Sequence, residues 1–139
     1  MNRIKTLKSI IGKKAYADGH YGFIKEFTGR EYMLDLGVDG YIYSQQIRII
    51  DKLHFLFITD NIIVAIAVVD GETYAGCVVC SPRDGDEEHF AKRLALARAF
   101  GDEREEDNIL DQMSEWQLRN YGDENTEEKY TIVKTEEFR

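Results

Sequence analysis

Cys77 and Cys80 carry the Cys-x-x-Cys spacing of a metal or redox pair. Redox pairs of this type sit at a helix N-terminus, which lowers the thiol pKa. The run Cys77-Val78-Val79-Cys80 instead reads as a strand, in which residues i and i+3 point to opposite faces. A zinc site needs about four ligands, and His20, His54 and His89 stand in no ligand spacing. The cysteines are therefore read as structural, with no metal and no cofactor expected. The histidines form no local motif with a Ser or Cys nucleophile. Carboxylates are so abundant that no general acid–base pair stands out. Neither a Gly-x-x-x-x-Gly-Lys-Ser/Thr loop nor a Gly-x-Gly-x-x-Gly fingerprint is present, which argues against ATP and dinucleotide chemistry. The expectation is a protein that is not an enzyme.

Charge offers more. The 139 residues carry 18 Lys+Arg against 26 Asp+Glu, a formal net charge of −8. Up to Asp51 there are eight basic and six acidic side chains, a net of +2, so the remainder carries −10. The excess concentrates in the blocks 102–107 and 123–128. Such blocks repel polyanions and attract basic surfaces within about a Debye length, ~8 Å at physiological salt. No apolar run approaches the ~18 residues of a membrane span. The basic start of the chain is followed by no apolar signal region, because Ser9, Gly12, Lys13 and Lys14 interrupt it. With two cysteines and no disulfide framework, a cytoplasmic location is expected.

The elements that must position these residues follow from periodicity and turn chemistry. Strands are expected over 13–17, 21–27, 31–36 and 41–50, separated by Asp18-Gly19-His20, Thr28-Gly29-Arg30 and Gly37-Val38-Asp39-Gly40. Short strands joined by Gly-containing turns predict a small barrel or curled sheet over residues 1–51. A second, antiparallel meander is expected over 53–58, 62–69 and 73–80, with Asp60-Asn61 and Asp70-Gly71 as turns. Its middle strand is apolar throughout, so cover is expected on both faces. Ser81-Pro82-Arg83-Asp84 has the chemistry of a helix start that Gly85 limits to one turn. A helix then runs from about 86 to Phe100, with Phe90, Leu94 and Ala97 as its buried stripe and Gly101 as its stop. A second helix, from about 105 to 120, places Ile109, Met113 and Trp116 on one face, flanked by Leu110 and Gln117. A last strand is expected over 130–135. The fold class is α+β: a strand-rich N-terminal lobe over 1–51, then an antiparallel sheet with two helices and a returning strand over 52–139.

Two stretches resemble known proteins. Gly12-Lys13-Lys14-Ala15-Tyr16, Gly22-Phe23-Ile24 and Tyr32-Met33-Leu34-Asp35-Leu36 resemble a small SH3-like barrel. The segment from Thr73 through Cys77-Val78-Val79-Cys80-Ser81-Pro82 to the Ala-rich helix ending at Ala99 resembles a ββα unit of small bacteriophage and prophage accessory proteins. Its ββα order also resembles the end of a double-stranded-RNA-binding domain. It departs from that family at the helix start, where Asp84-Gly85-Asp86-Glu87-Glu88 would repel phosphate.

The phage-type resemblance implies a non-enzymatic inhibitor of a bacterial host or defence component, CRISPR included. The charge pattern supplies a physical route, because an acidic helix can imitate a phosphate backbone and occupy a basic nucleic-acid channel. Glu105, Asp107, Asp111 and Glu115 are the residues expected to meet that partner. Two alternatives use other residues. A sponge for a small nucleotide signal would gather Tyr74, Arg83, Phe90, Lys92, Arg93 and Arg98 around a pocket at a homo-oligomer interface. A nucleic-acid-binding lobe would use Lys13, Lys14, Tyr16, Tyr21 and Lys25.

Overall fold

In the computed structural model, residues 10–58, 62–79, 85–112 and 132–138 are described. They form an α+β fold of nine strands in two antiparallel sheets with two helices. The first sheet contains β1 (Lys14–Ala17), β2 (His20–Phe27), β3 (Tyr32–Asp35), β4 (Tyr41–Ser44) and β5 (Arg48–Ile50) in the order β4-β3-β2-β1-β5. The second contains β6 (Lys52–Ile58), β7 (Ile62–Val69), β8 (Glu72–Val79) and β9 (Ile132–Glu137) in the order β8-β7-β6-β9. Helix α1 spans Gly85–Phe100 and α2 spans Glu103–Gln112.

Both Asp-Gly turns form as their chemistry dictates. Ala17 pairs with His20 and Val69 with Glu72, leaving Asp18-Gly19 and Asp70-Gly71 as two-residue loops. All four loop residues have positive φ, between 52° and 81°, the backbone that matches the right-handed twist of flanking strands.

The continuous strand expected over 41–50 is two strands. Ser44 is buried, and its hydroxyl donates to the Gln46 carbonyl (2.8 Å) and accepts from the Gln46 N–H (3.2 Å). That local capture turns the chain, so β4 lies at one edge of the sheet and β5 at the other. Both remain edges, so the sheet stays open and the barrel alternative does not hold. One face of the sheet carries a small core of Ala15, Ala17, Ile24 and Leu34.

A larger core lies between the second sheet, the two helices and the β1–β2 hairpin. It contains Tyr16, Leu53, Phe55, Ile63, Ala65, Ala67, Val78, Leu94 and Ile109. Helix α1 rests on β7 and β8. Leu94 and Ala97 are buried as expected and Phe90 partly so, but Ala91, Arg93, Ala95 and Leu96 are buried too. The helix is enclosed nearly all round, so its apolar residues follow no single stripe. The helix backbone comes close to β8: a Cβ on Gly76 would stand 2.3 Å from the Ala95 carbonyl oxygen and 2.4 Å from the Ala99 nitrogen. Helix α2 packs against α1 through buried Ile109.

Strand β7 departs from the two-sided cover its composition predicts. Ile63, Ala65 and Ala67 are buried under α1, whereas Ile62, Val64, Ile66 and Val68 are only partly buried. The last strand is displaced two residues from the expected 130–135 and adds to the β6 edge, pairing Phe55 with Glu136 and Phe57 with Lys134. Ser81–Asp84, Met113, Glu115, Trp116 and the 123–128 acidic block lie outside the described residues, as does the Asp60-Asn61 turn.

Candidate functional site on the second helix

Asp102 caps α2. Its side chain accepts from the Glu105 N–H at 3.4 Å, and its Oδ2 accepts the Tyr16 hydroxyl at 2.7 Å, tying the helix entrance to β1. Burial, then Asp102, pushes the Tyr16 phenol well above its ordinary value, so it stays a neutral donor. The spacing Asp102-x-x-Glu105 is a capping-box signature, and it starts the helix two residues before the expected position. Glu103 thereby joins the helix, a placement the sequence reading missed.

The acidic residues of α2 divide into two sets. Glu105 and Glu106 turn toward the body. The Glu105 carboxylate accepts from Asn108 Nδ2 (3.2 Å) and lies beside the Gly19 turn, and Glu106 pairs with Arg98 Nε at 2.9 Å. Glu103, Asp107 and Asp111 recur at i, i+4 and i+8, are all exposed, and enter no ion pair among the described residues. At 1.5 Å per residue the stripe is about 12 Å long. Of the four residues expected to bind a partner, Asp107 and Asp111 therefore lie on the exposed face, Glu105 does not, and Glu115 lies outside the described residues.

Glu103 stands in the first turn, where the helix dipole favours a carboxylate, but beyond it the stripe opposes the stability of its own helix. Like charges at i, i+4 cost roughly 0.2–0.5 kcal/mol per pair. Asp111 also stands in the last turn, where no basic residue offsets the helix dipole; a carboxylate there costs about 0.3–1 kcal/mol.

Of the described residues in the nucleotide-sponge alternative, Phe90 and Arg93 meet, while Lys92, Arg98 and Tyr74 are each engaged elsewhere. Lys92 is held by Glu136 and Glu88 over the rings of Phe55 and Phe57. Arg98 binds Glu106 and the Cys77 carbonyl. Tyr74 packs on Phe100, under the Arg48 guanidinium, and donates to Glu72. Phe90 contacts His89 and Arg93, and Arg83 lies outside the described residues. The nucleic-acid alternative loses its aromatic platform: Lys13 and Lys25 are exposed and Lys14 partly so, but Tyr16 is buried and Tyr21 packs on Phe55 and Phe138. The exposed tyrosines of this sheet are Tyr41 and Tyr43 on β4. Cys77 lies exposed on β8, and Cys80 is outside the described residues. No His/Cys/Asp/Glu group among the described residues could hold a metal. No described helix is long and apolar enough to cross a membrane.

No protein-family model, curated protein or solved structure matches this chain.

One titrating group near α2 has a stability consequence. His20, at the β1–β2 turn, accepts a hydrogen bond through Nε2 from Arg93 Nη2 at 3.2 Å. Burial, then the Arg93 charge, lowers its pKa from 6.5 to about 4. The unfolded chain thus binds a proton between these values that the folded chain does not, and stability falls as pH drops through this window. The loss should reach about 2 kcal/mol, less than the full shift implies because the ring is partly solvated. Urea unfolding of wild type and His20→Gln across this range checks it, with a flatter pH dependence expected for the variant.

Proposed function

We propose that this protein is a non-enzymatic accessory protein of bacteriophage type. It binds a basic, nucleic-acid-binding surface of a bacterial host or defence component, a CRISPR effector among them, and blocks that surface to nucleic acid. The observation that carries the reading is the stripe Glu103, Asp107 and Asp111: three exposed carboxylates, unpaired among the described residues, whose mutual repulsion and whose Asp111 in the last turn work against the helix. A charge array kept at a cost to folding is accounted for by a partner that neutralises it. Its length of about 12 Å matches roughly two phosphate steps of an extended strand. The acidic balance of the chain beyond Asp51 adds long-range attraction to the same partner.

The test is parallel affinity capture from a bacterial lysate with the parent and with a Glu103→Gln, Asp107→Asn, Asp111→Asn variant, followed by binding of the recovered protein in isolation. Exposed charges contribute little to folding, so the variant should melt at or slightly above the parent. It should bind at least ~10-fold more weakly at low salt, with a shallower salt dependence, and should no longer displace DNA from the partner. Equal affinity of variant and parent across a salt series would refute mimicry by this stripe.

A further inference from the structure

Where the β1–β2 turn, the Gly37–Asp39 turn, α1 and Phe138 meet, the structure leaves a cleft of about 140 Å³. Its polar lining is His20, Asp39, His89 and Arg93, and Tyr21 and Phe138 supply aromatic wall. Arg93 is only 4% exposed and is fixed in place: its Nε donates to the Gly19 carbonyl at 2.7 Å, and Nη2 lies 3.2 Å from His20 Nε2. At the mouth, His89 Nε2 stands 2.9 Å from Asp39 Oδ2, both side chains more than a third exposed. We propose that this cleft binds a small monocarboxylate with an apolar body.

The chemistry follows from what lines the cleft. Among the described residues the lining sets Arg93 and His89 beside Asp39, and a guanidinium held by its neighbours is a preorganised oxyanion receptor. Arg93 stands 3.2 Å from the His20 ring and is the strongest charge acting on it, which favours an anion beside that ring. Asp39 in the lining, and Glu105 acting on Arg93 from α2, already offset part of the positive charge. That balance suits one negative charge better than the two of a phosphate monoester. The aromatic wall calls for an apolar body, and a volume near 140 Å³ is close to that of an engineered protein cavity of about 150 Å³ that holds benzene. The α2 stripe plays no part in this site, so the two readings stand or fall separately.

Benzoate is the probe, with benzamide as its neutral isostere and inorganic phosphate as the competing oxyanion. Histidine-ring NMR near pH 6 should show saturable shifts at His20 and His89 with benzoate, at a dissociation constant of about 1 mM, the scale for a ligand of this size. Benzamide and phosphate should bind at least ~10-fold more weakly. Asp39→Asn should tighten benzoate about threefold by removing the competing carboxylate, and His89→Gln should weaken it by a similar factor. Arg93→Gln should abolish binding; should that buried substitution fail to fold, the Asp39 and His89 variants at the exposed mouth decide. No saturation by about 20 mM, twenty times the expected constant, would overturn the proposal. So would equal affinity for benzamide, tighter binding of phosphate, or weaker binding by Asp39→Asn.

Discussion

Gly76→Ala should cost at least ~3 kcal/mol, the upper end of overpacking penalties, and leave little folded protein at 37 °C. The added methyl would meet backbone, the Ala95 carbonyl oxygen at 2.3 Å and the Ala99 nitrogen at 2.4 Å, so no side-chain rotation relieves it. Relief requires α1 to lift from β8 by more than an ångström, loosening buried Val78, Ala95 and Leu94 together. The control is Gly12→Ala. Gly12 has φ +91° with nothing within 4 Å of its would-be Cβ, so that change pays only the left-handed backbone penalty of about 1–2 kcal/mol. Urea denaturation of both variants checks the order. A Gly76→Ala midpoint equal to or above that of Gly12→Ala would mean that α1 does not sit on β8 at this separation.

Phe55→Ala should cost about 3–5 kcal/mol, as large aromatic truncations in a core do. Phe55 is 1% exposed, its ring centroid is 5.4 Å from that of Tyr21 on the first sheet, and Lys92 Nζ lies 5.3 Å from it. One side chain thus joins the second sheet, the first sheet and α1. Phe57, its neighbour on the same face of β6, is only partly buried, and Phe57→Ala should cost less than half as much. Chemical denaturation of the pair measures the difference, and equal losses would place the centre of the core elsewhere.

Local chemistry made much of this fold legible. Asp18-Gly19 and Asp70-Gly71 announce their hairpins because few other pairs accept two positive φ angles, and strand β7 was bounded to the residue by its apolar run. The break after Ser44 was hidden because no Gly or Pro marks it; a hydroxyl bonded to Gln46 does the work. The half-open face of β7 was hidden for a different reason: composition states what a strand can bury, not what the chain supplies to cover it. On α2, acidic periodicity gave Asp107 and Asp111, while the body-facing side of Glu105 depends on Gly19, which is distant in sequence. The cleft could not be read at all. His20, Asp39, His89 and Arg93 come from three separated segments, and no spacing in the chain joins them.

Strand β9 completes the edge of the second sheet long after its partner has been made. Ile132 pairs with Ile58, so at a synthesis rate of roughly 5–20 residues per second, β6 waits about 4–15 s on the ribosome for its neighbour. Through that interval Leu53, Phe55 and Phe57 belong to a strand with one bare side. Any strand of matching register can occupy it, including β9 of another nascent chain. At high expression, exchanged dimers and aggregates should therefore compete with native closure of the sheet, and slower initiation or lower temperature should favour the chain that closes on itself.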